Sequence, residues 1–279
     1  MCDGKKITAL SRPVKCMLKY KKIIMLKHTF TILPGVGTRF ERHLWREGVF
    51  TWEDFLTRIH IPGVSQSRKN IFDREITKAL HALEKGDIDY FSIRLHHNEY
   101  WRLFDAFHKD AVCLDIETMG GPAGYGEVTI VGMYGRDQMH TLIKDINLDS
   151  GTLKDILFQY KLIITYYGRV FDIPFLHKSI SGLKVDMPNY DLCFAARRLN
   201  IKGGLKKLEA YFGMRREDSI TGMDGYDAVK LWGKYIEGDE DALKILLKYN
   251  EADTKNLYQL AEVLSMMLSR EYGPENINR

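Results

Sequence analysis

Four cysteines in 279 residues, at positions 2, 16, 113 and 193, are too few and too scattered to make a disulfide framework. None forms a C-x-x-C pair or stands near a histidine at ligand spacing, which excludes a zinc knuckle. We read them as reduced thiols, which points to a cytoplasmic protein. Long apolar runs are missing as well: none approaches the roughly 18 residues that a membrane span requires. The first 27 residues are basic, carrying Lys5, Lys6, Arg12, Lys15, Lys19, Lys21, Lys22 and Lys27. They lack the continuous apolar segment and small-residue cleavage site of a secretory signal. Residues 1–30 are therefore expected to form a poorly ordered basic leader, and Met25 could begin a complete protein. A membrane or secreted role is not expected, and no protein partner can be named.

What is present is a charge asymmetry. Residues 1–110 hold 20 Lys and Arg against 13 Asp and Glu, whereas 111–279 hold 21 against 24, giving balances of +7 and −3. A basic front suits a polyanion such as nucleic acid, or is only a well-solvated surface. That front also repeats itself. "TILPGVGTRFERHLWREGV" (31–49) and "RIHIPGVSQSRKNIFDREI" (58–76) each set Pro-Gly-Val and a small residue ahead of a basic, amphipathic helical stretch. Gly35, Gly37 and Gly63 permit tight turns, and the free amides opening the next helix make a phosphate-sized anion site. The pair resembles the helix-hairpin-helix element, which holds a nucleic-acid backbone without reading bases. Gly35 and Gly37 are the substrate contacts this resemblance implies. A turn joining two packed helices with nothing bound is the other reading. Residues 31–110 are thus expected as a small all-α, nucleic-acid-binding region, continuing through a turn at Gly86 and a further amphipathic stretch. His96 and His97 are adjacent and point to different faces of any regular element, so they are poor metal ligands.

From 111 the periodicity changes. "VCLDIE" (112–117), "EVTIVGMYG" (127–135) and "MHTLIK" (139–144) are β-branched runs divided by Gly-rich turns, which predicts three sequential antiparallel strands. A helix capped by Asp149 or Ser150 follows. "LIITYYG" (162–168) is predicted as the next strand, parallel to the first, and then a helix with Pro174 in its first turn. The order is that of an α/β, ribonuclease H-like mixed sheet flanked by helices over 111–279. In "AVCLDIETMGG" the alternation puts Asp115 and Glu117 on one strand face, about 7 Å apart. Like charges so close call for a cation, a proton or open water. On the last helix, "DALKILLKYNEADTKNLYQLAEVLSMMLSREY", Tyr249 and Asp253 are four apart and share a face.

Together these pieces resemble the DEDD group of 3′-5′ exonucleases, tyrosine subtype. "LDIET" matches its first motif, "FDIPFL" the second and "YNEAD" the third, in the right order. The likeness runs from about residue 31 to the end and is nearest to predicted exonucleases that carry a hairpin-bearing front segment. It implies two divalent ions, Mg2+ or Mn2+, held by Asp115, Glu117, Asp172 and Asp253, with Tyr249 orienting the attacking water. Thr118, Tyr167, Lys206 and Arg215 would contact substrate, although each cation there could equally be solvated surface, as could Lys207 and Arg216. Asp191 and Asp224 are further carboxylates that could be helix caps. Two departures are visible. Tyr167 stands where relatives usually have asparagine, and Asn189 where they tend to have histidine. The activity implied is metal-dependent 3′-5′ hydrolysis of nucleic acid, with single-stranded or 3′-ended DNA favoured and RNA possible. The alternatives are a nucleic-acid-binding module that has lost turnover and a structure-directed endonuclease.

Overall fold

Both Pro-Gly steps of the front half make the same turn. In the computed structural model, which describes residues 24–120 and 126–277, the Val36 amide donates to the Leu33 carbonyl and the Val64 amide to the Ile61 carbonyl. Gly35 and Gly63 sit at φ +68° and +77°, where a side chain would be strained. Helix α1 (Thr38–Arg46) follows the first turn. Next come α2 (Trp52–Thr57), opened by a Thr51–Asp54 capping box, and, after the second turn, α3 (Gln66–Glu84). The turns meet: the His43 ring lies 2.8 Å from the Pro62 carbonyl, and Arg68 donates to the Gly35 carbonyl at 3.3 Å. After a left-handed Gly86 at φ +65°, α4 (Ile88–Ser92) and α5 (Trp101–Phe107) complete the front.

Residues 1–23 of the expected leader lie outside the described residues. Its last residues are packed, because Met25, Leu26 and Phe30 are apolar enough to join the core and are fully buried. A short 3-10 turn, Met25–His28, places them against α5.

The sheet is built from β1 (Ala111–Thr118), β2 (Val128–Gly135), β3 (Gln138–Ile143), β4 (Leu162–Thr165) and β5 (Asn189–Asp191), in the order β3-β2-β1-β4-β5. The first three pair antiparallel; β4 and β5 add on in parallel beyond β1. Helix α6 (Ser150–Leu157) crosses from β3 to β4, capped by Asp149, and α7 (Asp172–Ser179) crosses from β4 to β5. Behind them come α8 (Leu192–Arg198), α9 (Leu205–Tyr211), α10 (Gly225–Ile236) and the 33-residue α11 (Glu240–Tyr272). This is the mixed α/β fold expected. Two details differ from the sequence reading. β4 ends at Thr165 rather than at 168, because Tyr167 turns the chain at φ +66°. β5 was not anticipated, being three residues long and too short to show alternation.

Alternation along β1 sorts the core. Val112, Leu114 and Ile116 pack with Leu153, Leu157, Phe175 and Leu176 of α6 and α7. Ala111 and Cys113 face the other way, into a core shared by the front helices and α11. There Phe104 of α5 lies against Tyr190 and Tyr258, with centroids at 5.8 and 5.9 Å. Below it, fully buried Arg102 donates to both Glu41 oxygens at 3.1 and 2.9 Å and to Glu99 at 2.6 Å, while Arg198 reaches the other Glu99 oxygen at 2.5 Å. Among the described residues no helix is long and apolar enough to cross a membrane.

Candidate active site

Asp115 and Glu117 leave the end of β1 on the face that α11 crosses, just before a bulge at Glu117/Thr118 loosens the ladder. The helix comes unusually close there. Asp115 pairs across the ladder with Gly132, and a Cβ on Gly132 would lie 2.1 Å from Asn250 Oδ1 and 2.5 Å from Thr254 Oγ1. The missing side chain lets α11 settle on the strands, carrying Tyr249 and Asp253 inward. One oxygen from each of Asp115, Glu117 and Asp253 lies within 4.8 Å of the others. Asp172, the first residue of α7, is buried beside them. Its carboxylate accepts from the Ile116 amide, and its charge still acts on Asp115. Three of the four expected carboxylates thus converge, and the fourth stands alongside.

The electrostatics follow from that crowding. Burial, then the charges of Asp253, Glu117 and Asp172, push the Asp115 carboxyl well above the usual range. Burial and Asp253 raise Glu117 to about 8, and burial raises Asp172 to about 7. Asp253 is raised by burial and held down in part by Arg216, which forms an ion pair with it. Arg216 is itself gripped by Glu209, with both contacts at 2.7 Å, and Asn256 steadies Glu209 at 2.9 Å. Lys206 donates to the Tyr249 hydroxyl at 2.6 Å and lies 4.6 Å from its ring centroid. Burial and the surrounding carboxylates raise the Tyr249 phenol, which therefore remains a neutral O–H.

Asn250 is the participant that sequence reasoning missed. Its Nδ2 donates to Asp115 Oδ2 at 3.0 Å, and its side chain also hydrogen-bonds Glu117. The signal was its place three residues before Asp253, on the same helix face. Elsewhere, Thr118 Oγ1 accepts from the Gly120 amide at 3.3 Å, at the rim. Tyr167 is part-exposed on the loop into α7, and Gly35 and Gly37 lie in the first front turn. Arg215 is exposed and reaches none of the carboxylates; its neighbour Arg216 does. Asp191 and Asp224 are caps, of α8 and α10.

The converging donor atoms are all carboxylate oxygens, with no cysteine or histidine in the group. Mutual repulsion and hard oxygen donors suit a divalent ion such as Mg2+ or Mn2+. Residues 112–265, more than half of the chain, match the RNase H superfamily. The chain belongs to this superfamily. Its RNase H-like sheet contributes Asp115 and Glu117 from the central strand, with Asp172 opening the helix after β4. Among solved structures, the family B DNA polymerase of Pyrobaculum calidifontis aligns at 18% identity over 55% of this chain, with a TM-score of 0.45. The aligned part is 24% of that polymerase. Brucella melitensis NrnC aligns at 18% identity over 62% of this chain and 81% of its own, with a TM-score of 0.44. The catalytic core of Trypanosoma brucei RRP6 aligns at 14% identity over 61% and 44%, with a TM-score of 0.44. No curated protein matches the sequence significantly.

Proposed function

We propose that this RNase H superfamily member is a cytoplasmic 3′-5′ exonuclease of the DEDD group, tyrosine subtype, hydrolysing phosphodiester bonds of nucleic acid with DNA favoured. The observation that carries this reading is the convergence of Asp115, Glu117 and Asp253 within 4.8 Å on one face of the sheet. Asp115, Glu117, Asp172 and Asp253 would hold two divalent ions, Mg2+ or Mn2+. Bound there, such ions supply Lewis-acid activation of water and neutralise charge on the leaving 3′ oxygen. The chain's own groups do the remaining work. Asn250 fixes the Asp115 carboxylate, so that its oxygens face the cluster. Tyr249 offers a neutral hydroxyl that orients the attacking water, and Lys206 holds that hydroxyl in place while adding positive charge near an incoming phosphate. The two front turns, with Gly35 and Gly37, would grip the backbone of the strand.

Incubation of 3′-labelled and 5′-labelled single strands with Mn2+ or with EDTA tests this reading. Metal-dependent release of mononucleotides from the 3′ end is the expected outcome. Internal fragments would identify an endonuclease instead. Binding without product in either condition would overturn the catalytic reading and leave a nucleic-acid-binding module. Two observations favour that second reading: Tyr167 stands in place of the usual asparagine, and Arg216 already engages the Asp253 carboxylate.

A further inference from the structure

Arg39, Arg42 and Arg46 recur at helical spacing along the outer face of α1, opposite the buried Glu41, Leu44 and Trp45. All three are exposed, and none has a carboxylate partner among the described residues. They line a cleft of about 370 Å³ whose far wall carries Arg198 and Tyr272. This cleft shares Thr38 and Arg198 with a second one, of about 680 Å³, that runs between the first Pro-Gly turn and α8. Phe194 and Arg197 line the second cleft. Tyr167 stacks on Phe194, with centroids 6.1 Å and planes 24° apart, and keeps 38% of its surface exposed. The Arg197 guanidinium lies 5.6 Å from the Tyr167 ring and 5.5 Å from that of Phe194. The platform is fixed from beneath, since the Asp191 carboxylate accepts the Tyr167 amide at 2.9 Å and the Arg169 amide at 3.1 Å. Tyr167 stands five residues before Asp172, on the loop that delivers that carboxylate to the site.

The geometry points to one continuous track for single-stranded nucleic acid. It starts at the Tyr167–Phe194 platform, on the loop that leads to Asp172, follows Arg197 through the shared cleft and ends on the arginine face of α1. This deepens the nuclease reading and rests on it for the position of the 3′ end. The stacked rings take unpaired bases, because a base inside a duplex has no free face to offer. The arginines take phosphates, and Arg39 to Arg46 cover about 10 Å of helix.

The test uses the full chain and its Arg39→Gln/Arg42→Gln/Arg46→Gln variant, with fluorescein-labelled oligothymidine read by anisotropy in EDTA. Affinity at low salt should fall at least roughly tenfold, and the slope of log affinity against log salt should shrink by about 2, the release expected for three phosphate contacts. Phe194→Ala should weaken binding without changing the slope. The triple variant should hydrolyse a dinucleotide in Mn2+ as the unaltered chain does, because its substitutions lie outside the carboxylate site. Absence of hydrolysis by the unaltered chain would defeat the nuclease reading, yet the anisotropy in EDTA would still report on the track. Unchanged affinity in the triple variant overturns the proposal. So does duplex bound as tightly as single strand, and so does polyglutamate competing as well as oligothymidine, which would mark a surface for acidic protein.

Discussion

Asn250 is placed where a small polar side chain has the largest effect, touching two carboxylates that repel each other. Removing it as Asn250→Ala leaves Asp115 without its orienting donor, and apparent Mn2+ affinity should fall roughly 10–100-fold, as loss of an outer-shell partner does elsewhere. Isothermal titration calorimetry would check this, and an unchanged constant would deny Asn250 any role. Asp115→Asn should lower phosphodiester hydrolysis by roughly 10³-fold. It should also raise the melting temperature of the metal-free protein near neutral pH, because it removes a carboxyl that burial and its neighbours force to take up a proton on folding. A variant that loses activity and melts earlier would show that the carboxylate mattered to packing, not to chemistry. Tyr167 illustrates what sequence could and could not tell. Its substitution for the usual asparagine was visible, but its φ of +66° was not. Asparagine tolerates that left-handed geometry better than tyrosine, so Tyr167 holds its turn under backbone strain.

Among the elements, α11 sets the site by how closely it lies on β1 and β2, and Gly132 sets that closeness. Gly132→Ala should cost about 1–3 kcal/mol in denaturant titration, the usual range for overpacking. It should also weaken metal binding, because the helix that bears Asp253 is displaced from the strand that bears Asp115. A variant as stable as the parent would show that the helix has room to shift. The long strands, α6 and α11 were legible because each runs enough turns or alternations to show a period. β5, with three residues, shows none, and α9 is a seven-residue helix that brings Lys206 to Tyr249. Gly132 itself looked like one more glycine in a strand. Its meaning depends on a partner 118 positions away in sequence, Asn250, and on a register that only the folded ladder fixes.

Across the protein, the carboxylate cluster makes stability depend on pH in a definite direction. Asp172 at about 7 and Glu117 at about 8 hold protons more tightly folded than unfolded. Their stabilising contribution is complete below the ordinary carboxylate range, near pH 4, and is lost as pH rises through about 7 and 8. In EDTA the melting temperature should therefore fall between pH 6 and 9. Saturating Mg2+ should flatten that fall, because the ions replace the protons. Calorimetry across this range checks it, and a melting temperature that rises with pH in EDTA would contradict the raised values. The charge asymmetry between front and rear was readable by counting, but the way the two parts join was not. Glu41, the Glu99–Arg102 pair and Arg198 come from three separate stretches and meet only in the fold. Of these ion pairs only the part-exposed Arg198–Glu99 pair crosses the joint, since Arg102, Glu41 and Glu99 all lie in the front part. Swinging the front helices away from the sheet would break that pair and expose the apolar core that α5 shares with α11. On the proposed nuclease reading, a bound strand would then enter and leave lengthwise along its cleft, because parting the joint would lay that shared apolar core open to water.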